Sequence, residues 1–231
     1  VGQSANDWFV TVWDMSKPTT RTAGNPSSTI ALPFEGINYT LYWEDVDNPT
    51  LNNTIVVPSS MASAPYYLPV PSATGKYRLK VHKGNGTLTQ IYSDRLISDI
   101  QRLISVEQWG VNKWISLRSA FGGCGNMDVV ANDIPDISIC QELTMMFFQC
   151  YSLQNTNGSI SGWQTQNITN MASMFSWAEK FNQPIGNWNT AKVTNMAGMF
   201  QGAKSFNQPL NNWQTQNVTN MGNMFHNAFA F

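Results

Sequence analysis

Hydrophobic and polar residues alternate along seven short segments within residues 1–93, and this period of two is typical of β-strands. The segments are 7–13, 28–33, 39–43, 54–57, 66–68, 76–81 and 88–92. Clusters of Gly, Pro, Asn, Ser and Lys separate them, as expected of turns. About seven short strands in roughly 90 residues predict an immunoglobulin-like β-sandwich.

The hydrophobic period changes to that of a helix between Ser93 and Ile104. Apolar residues recur there at i, i+1, i+4, i+7 and i+8, which is one face of an amphipathic helix. The segment directly precedes a series of repeats, and a repeat array needs a cap for its first unit. We therefore predict that residues 94–104 form a capping helix and the junction between two domains.

From residue 155 onward the chain repeats itself at an offset of 25 residues. The repeated columns are Trp163, Trp188 and Trp213; Met174, Met199 and Met224; and Phe181 and Phe206. Weaker copies extend the register back to Trp109, at offsets of 26 and 28 residues. A fixed period of this size indicates a solenoid, so residues 105–231 are predicted to form about five stacked units of 25–28 residues.

The apolar positions inside one unit have helical spacing. Met171, Met174, Phe175, Ala178 and Phe181 lie at i, i+3, i+4, i+7 and i+10, on one face of a short helix or series of helical turns. The Asn-Gln-Pro that follows ends such a helix, since proline cannot continue it. One unit cannot cover its own Trp, Met and Phe side chains, so we expect these columns to form the structural core of the stack.

Charge is scarce in this chain. Charged residues make up 12% of the sequence and the formal net charge is −1, which argues against a partner made of nucleic acid. The sequence contains no window of 18 apolar residues, so no membrane span is predicted. The chain begins with Val1 rather than methionine, which suggests that a signal peptide or an artificial boundary lies before it.

Polar residues of the repeats form a second set of columns, which we regard as a candidate binding ladder. Its members, with one unusual tryptophan, are Gln164, Thr165, Asn189, Thr190, Gln214, Thr215 and Trp177. Stacked hydroxyls and amides could contact a polysaccharide, a protein or a crystalline surface. The alternative is that these rows bond to each other and to the backbone along the stack.

No catalytic or metal-binding residue is predicted, with calcium at the acidic cluster of Glu44, Asp45 and Asp47 as the alternative. His82 lies on a predicted strand, and His226 occupies a column of surface polar residues. No recognised catalytic or phosphate-binding motif occurs, so we predict neither an enzyme nor a cofactor nor a metal. The three cysteines, Cys124, Cys140 and Cys150, are expected to pack as small apolar residues, with a disulfide between the first and the last as the alternative.

The last unit carries two aromatic residues, Phe229 and Phe231, without an evident cap. An apolar end of this kind indicates an interaction surface or a site prone to aggregation. We expect either further repeats after Phe231 or a partner that covers the end, and further copies joined head to tail would form a filament.

The repeat motifs resemble those of the BspA-type surface proteins, which are relatives of leucine-rich repeats. The resemblance rests on Ser105-Val-Glu-Gln-Trp-Gly110, on Ala120-Phe121-x-x-Cys124, and on the later Val-Thr-Asn-Met, Met-Phe-x-x-Ala and Phe-Asn-Gln-Pro motifs. The segments 39–45 and 75–81 are similar to a PKD-like β-sandwich. The fold class implied is mainly β with short helices: a sandwich over 1–93, then a leucine-rich-repeat-like solenoid.

This resemblance implies an exported, non-catalytic surface protein, secreted or attached to the cell surface. It would serve adhesion, or assemble a surface layer or filament, with a protein or glycan on a cell or matrix surface, or further copies of itself, as partner. A carbohydrate- or ice-binding protein that uses the ladder is one alternative. A non-catalytic part of a longer secreted enzyme is the other.

Overall fold

The computed structural model describes residues 4–19, 28–61, 64–93 and 99–231. Within these ranges the strands are β1 (Phe9–Asp14), β2 (Thr29–Ala31), β3 (Phe34–Asp45), β4 (Asn52–Ser60), β5 (Tyr67–Pro69), β6 (Lys76–His82), β7 (Thr87–Ile91), β8 (Leu103–Gln108) and β9 (Asp128–Val129). Two short 3-10 segments lie at Ala5–Asp7 and Ser159–Gly162. Each of the seven segments with alternating hydrophobicity overlaps one of the strands β1 to β7.

Seven of these strands form one open sheet with the order β4-β3-β6-β1-β8-β9, in which β7 pairs with β3 as well. All pairs are antiparallel except β8 with β9. One face of the sheet is buried, because alternate residues such as Tyr77, Leu79 and Val81 of β6 are fully shielded from solvent. Strands β2 and β5 form a separate antiparallel pair.

The predicted sandwich is wrong, and β3 shows why. This strand is 12 residues long. Most of its length pairs with β4, while its first residues pair with β7 and its later residues with β6. One long strand thus joins in a single sheet the strands that a sandwich would divide between two. Alternation along each strand predicts which side chains are buried, but not which strands share a sheet.

The repeat units contain turns where short helices were predicted. In the unit that starts at Met171, the backbone N–H groups of residues 171, 173, 175 and 177 donate to carbonyls of the next unit, at 2.6–3.0 Å. Between them, Met174 and Ser176 donate to carbonyls three positions earlier, and Ala172 donates to the side-chain oxygen of Asn170. An α-helix would use bonds four residues back throughout.

Left-handed residues explain this departure from the helix. Ser173 and Trp177 have φ angles of 54° and 60°, and the next unit has Gly198 and Gly202 at the same two positions, with 61° and 69°. One residue in four therefore breaks the helical path, while the apolar side chains keep the spacing that a helix would have. Hydrophobic periodicity alone cannot distinguish these two backbones.

The predicted fold class is therefore wrong. No α-helix occurs in the part of the chain that the structure describes, and the N-terminal strands lie in an open sheet. The units are successive turns joined by single parallel bridges, such as Asn170 with Asn195 and Asn195 with Asn220, and not the strand-and-helix coils of a leucine-rich-repeat-like solenoid. We call residues 109–231 the repeat stack.

Aromatic rings at equivalent positions lie on each other along the repeat stack. The rings of Phe147, Phe175, Phe200 and Phe225 follow at centroid distances of 5.5–5.9 Å and within 13° of parallel. The buried hydrophobic residues of the sheet and of the stack form one continuous cluster. Phe9 of β1 contacts Trp109 at a centroid distance of 5.5 Å, which places the sheet against the first unit.

The segment predicted as a capping helix is described only in part, since residues 94–98 lie outside the described ranges. Residues 99–102 form turns, and Leu103 begins β8, which pairs with β1 in the sheet. Nearby side chains nevertheless cover the first unit. The Ser93 hydroxyl donates to the carbonyls of Ser119 and Gly122, and the Gln101 amide donates to that of Gly123. The division into 1–93, 94–104 and 105–231 stays a prediction.

Candidate interaction surfaces

The threonines of the polar ladder lie mostly inside the repeat stack. Thr165 and Thr190 are buried, and their hydroxyls donate to the carbonyls of Asn189 and Gln214 in the next unit, at 3.0 and 3.1 Å. The Thr190 oxygen also accepts from the Gln214 backbone N–H at 2.8 Å. Thr215 in the last unit is exposed. These hydroxyls join consecutive units and leave little for an external ligand.

The amides of the ladder are different, because Gln164, Asn189 and Gln214 are all exposed. The Gln164 side chain donates to the Gly162 carbonyl, and the Asn189 side-chain oxygen accepts from the Ala191 N–H. Each of these local bonds leaves further donors or acceptors of the amide pointing to solvent. We call these three residues the amide row. It recurs at the same position in each of the last three units.

Trp177 has a packing role that its column did not predict. Its ring lies over Gly202 of the next unit, so close that a Cβ atom at Gly202 would come within 2.7 Å of the indole. The residue is half-buried and its backbone is left-handed. The glycine in the next unit thus makes room for the tryptophan.

The columns assigned to the structural core have little exposure until the last unit. Trp163 and Trp188 are 3% exposed, and Met174, Met199, Phe181 and Phe206 are fully buried. Trp188 and Trp213 each donate an indole N–H to a carbonyl of the preceding unit, Ile160 and Ile185, at 3.1 and 3.0 Å. The buried Trp163 indole N–H has no hydrogen-bond partner in the described chain.

The last unit, residues 207–231, opens its apolar side to solvent. Phe229 is 75% exposed and Phe231 is 53% exposed, whereas Met221 is 43% exposed although its equivalents Met171 and Met196 are fully buried. A groove of about 540 Å³ lies on this side. Its apolar lining consists of Met196, Pro209, Leu210, Trp213, Met221, Met224, Phe225 and Phe231. We call this surface the end face.

A second surface, which the sequence analysis missed, lies on the solvent side of the large sheet. Glu44 of β3 accepts from Arg78 at 3.0 Å and from the Tyr42 hydroxyl at 3.0 Å, and it pairs with Lys80 at 3.3 Å. Arg78 also pairs with Glu107 of β8 at 2.7 Å. Two cations and two carboxylates therefore form one network that reaches from β3 over β6 and past β1 to β8.

Burial and hydrogen bonding shift the pKa values in this network. Burial alone would raise the pKa of Glu44, but the bonds from Arg78 and Tyr42 outweigh it and hold that pKa below its usual range. The hydrogen bond to Glu107 raises the pKa of Arg78 further, with a second contribution from Glu44. A groove of about 710 Å³ runs beside these side chains, and Trp8 and Tyr42 supply its aromatic wall. The sequence signal that could have predicted this network is the alternation of polar residues along β3 and β6.

The three cysteines are free thiols and all are buried. The Cys150 sulfur donates to the Phe121 carbonyl at 3.1 Å. Burial raises the pKa of Cys124 and Cys150 well above the usual range of a thiol. Packing, the first of the two sequence-based alternatives, describes their state in this structure.

The described residues contain no group of three or more His, Cys, Asp or Glu side chains placed to hold a metal ion. No helix in the described ranges has the length and hydrophobicity needed to cross a lipid bilayer.

Comparison with known proteins places the repeat stack in a family. No curated protein and no solved structure matches the chain. One family profile matches residues 115–231, which is slightly more than half of the chain and nearly all of the repeat stack. The chain therefore belongs to the family described as "Mycoplasma protein of unknown function, DUF285".

Proposed function

We propose that this chain is a non-catalytic extracellular surface protein that adheres to a partner through its repeat stack. The observation that carries the proposal is the amide row, in which Gln164, Asn189 and Gln214 present an exposed uncharged amide at the same position of three successive units. A periodic row of amides suits a partner that is itself periodic, such as a polysaccharide or an extended protein segment.

The low charge of the stack supports such a contact. From residue 155 to 231 the only charged side chains are Glu179, Lys180, Lys192 and Lys204. Glu179 and Lys204 pair with each other at 2.8 Å. Binding by uncharged amides does not require the desolvation of full charges, which is the costly step at a polar interface.

The resemblance to BspA-type surface proteins supports the extracellular placement and the adhesive role in the proposal. A protein or glycan on a cell or matrix surface is the proposed partner. The carbohydrate- or ice-binding alternative has less support from the side chains, because the hydroxyls of Thr165 and Thr190 donate to carbonyls of the next unit.

A binding assay with two matched double variants tests this proposal. The purified chain is titrated over immobilised glycans and over extracellular-matrix proteins. Asn189→Asp with Gln214→Glu adds two charges to the amide row with little change in shape. Asn182→Asp with Asn207→Asp adds two charges at exposed positions elsewhere in the same units.

We expect the first double variant to bind at least tenfold more weakly and the second to bind like the unmodified chain, since only the first charges the row that meets the partner. The proposal is wrong if the unmodified chain binds none of these surfaces, or if the two variants lose binding equally.

Contact with a further segment of the repeat motif through the end face is a second candidate function. The exposure of Met221, Phe229 and Phe231 favours it, because exposed apolar patches mark sites of protein contact.

A further inference from the structure

We infer that the end face is a docking surface for one more coil of the same repeat motif, recognised by its backbone carbonyls and by one aromatic ring. This surface differs from the amide row, so the inference can fail while the adhesive role holds.

The first argument is the direction of the hydrogen bonds between units. At each of four successive interfaces, four backbone N–H groups of the earlier unit donate to four carbonyls of the later unit. The donors at these interfaces are residues 117, 119, 121 and 123; 143, 145, 147 and 149; 171, 173, 175 and 177; and 196, 198, 200 and 202. In this row the bonds run in one direction, from the earlier unit to the later one, whereas a few N–H groups outside the row, such as those of Thr194 and Thr219, donate back to the earlier unit.

The equivalent donors of the last unit have no acceptor. The N–H groups of Met221, Asn223, Phe225 and Asn227 make no hydrogen bond within the described residues. Asn223 and Asn227 already have the left-handed φ angles, 57° and 60°, that Ser173 and Trp177 have in a paired unit. The row is therefore arranged for acceptors in advance, and a row of unpaired backbone groups is a template for an added segment.

The second argument is the apolar surface beside this row. The rings of Phe225 and Phe231 stack at 4.0 Å, as those of Phe175 and Phe181 do inside the stack. Inside the stack, the ring of Phe200 in the next unit covers one face of the Phe175 ring, at a centroid distance of 5.9 Å. The corresponding face of Phe225 borders the 540 Å³ groove, which is open. An added coil would place its own phenylalanine there.

A second copy of this chain does not offer what the end face needs. Two end faces that meet would bring donors against donors. At the other end of the stack, the Gly122 carbonyl, which corresponds to that of His226, already accepts from the Ser93 hydroxyl. The sheet also packs against this first unit, where Phe9 contacts Trp109. The occupant must bring free carbonyls at alternate residues, as a coil of the motif does at 220, 222, 224 and 226.

The test uses the 231-residue chain and a synthetic peptide with the sequence of residues 207–231, the unit whose carbonyls already accept such bonds. A peptide of the same composition in scrambled order is the control for nonspecific apolar binding. Affinity is measured by fluorescence anisotropy, and hydrogen exchange is followed at the N–H groups of Met221, Asn223, Phe225 and Asn227.

Two variants make the test specific to the groove. Phe231→Ser changes a residue that lines it, and Phe229→Ser changes a more exposed ring outside it. We expect the repeat peptide to bind, to protect the four N–H groups from exchange, and to bind at least tenfold more weakly to Phe231→Ser than to Phe229→Ser. Thermal unfolding of both variants establishes that they remain folded.

Three outcomes would overturn the inference. The first is no binding of the repeat peptide, or equal binding of the scrambled one. The second is binding that leaves the four N–H groups unprotected. The third is self-association of the chain that Phe231→Ser abolishes, since this would make a second copy the occupant.

Discussion

Replacement of Phe206 by alanine measures how much the stacked aromatic columns contribute to stability. The Phe206 side chain is fully buried, and its ring lies 4.0 Å from that of Phe200, 6.1 Å from that of Phe181 and 5.9 Å from that of Phe231. Truncation of a buried phenylalanine costs about 3–5 kcal/mol. Three ring contacts are lost together, so we expect a value in the upper part of this range, about 4–5 kcal/mol.

The matched control is Phe229→Ala. This ring has the same chemistry in the last unit but is 75% exposed, so its removal should change the free energy of unfolding by less than about 0.5 kcal/mol. Urea unfolding is followed by tryptophan fluorescence and by circular dichroism, because repeat arrays can unfold in more than one step. Coincident curves justify one free energy for the whole chain.

The result would refute the packing argument if Phe206→Ala cost less than about 1.5 kcal/mol, which is well under the range for a buried phenylalanine. A cost equal to that of Phe229→Ala would do the same. A large loss confined to one of the two probes would instead locate the effect in the last units.

Three further predictions follow from single contacts. Thr190→Val should lower the free energy of unfolding in urea by about 1–3 kcal/mol, because it removes a buried hydroxyl that bonds to the next unit. The exposed Thr215→Val should leave it nearly unchanged, and similar losses in both variants would contradict the difference in burial. Gly202→Ala should lower the melting temperature and alter tryptophan fluorescence, since φ is 69° and the new Cβ would meet an indole ring; an unchanged spectrum would count against that contact. Folding lowers the pKa of Glu44, so its stabilising effect is complete above the unfolded carboxyl pKa of about 4.3 and is lost as the pH falls further. Glu44→Gln should therefore destabilise the chain at neutral pH and reduce the dependence of its unfolding free energy on acid pH. Equal pH profiles of unfolding for the two proteins would argue against the ion network.

The sequence alone determined the positions of β1 to β7 and the register of the repeats, whereas β8 and β9 were not predicted. Alternation in 76–81 and 39–43 identified β6 and the centre of β3, because a strand with one buried face must alternate. The 25-residue offset identified which side chains stack, as the successive Trp163 and Trp188 show at 6.2 Å and 11° from parallel. Identical side chains at a fixed spacing can be recognised without knowledge of the backbone between them.

The sequence did not distinguish the buried residues of the ladder from the exposed ones. It placed Thr165 and Gln164 in one candidate surface, although the hydroxyl is buried and the amide is exposed. A threonine hydroxyl can either bond to the next unit or face solvent, and the same repeated threonine is compatible with both arrangements. The alternative that these rows bond to the backbone describes the threonines.

Tertiary structure decided the backbone of the units and the arrangement of the sheet. The spacing of Met171, Met174 and Phe175 suits a helix as well as a series of turns, and the choice was made by bonds to the next unit together with left-handed residues such as Ser173. The pairing of β3 with β4, β6 and β7 likewise depends on contacts between segments distant in sequence. Local periodicity reports which side chains are buried, whereas hydrogen-bond partners are chosen only when distant segments meet.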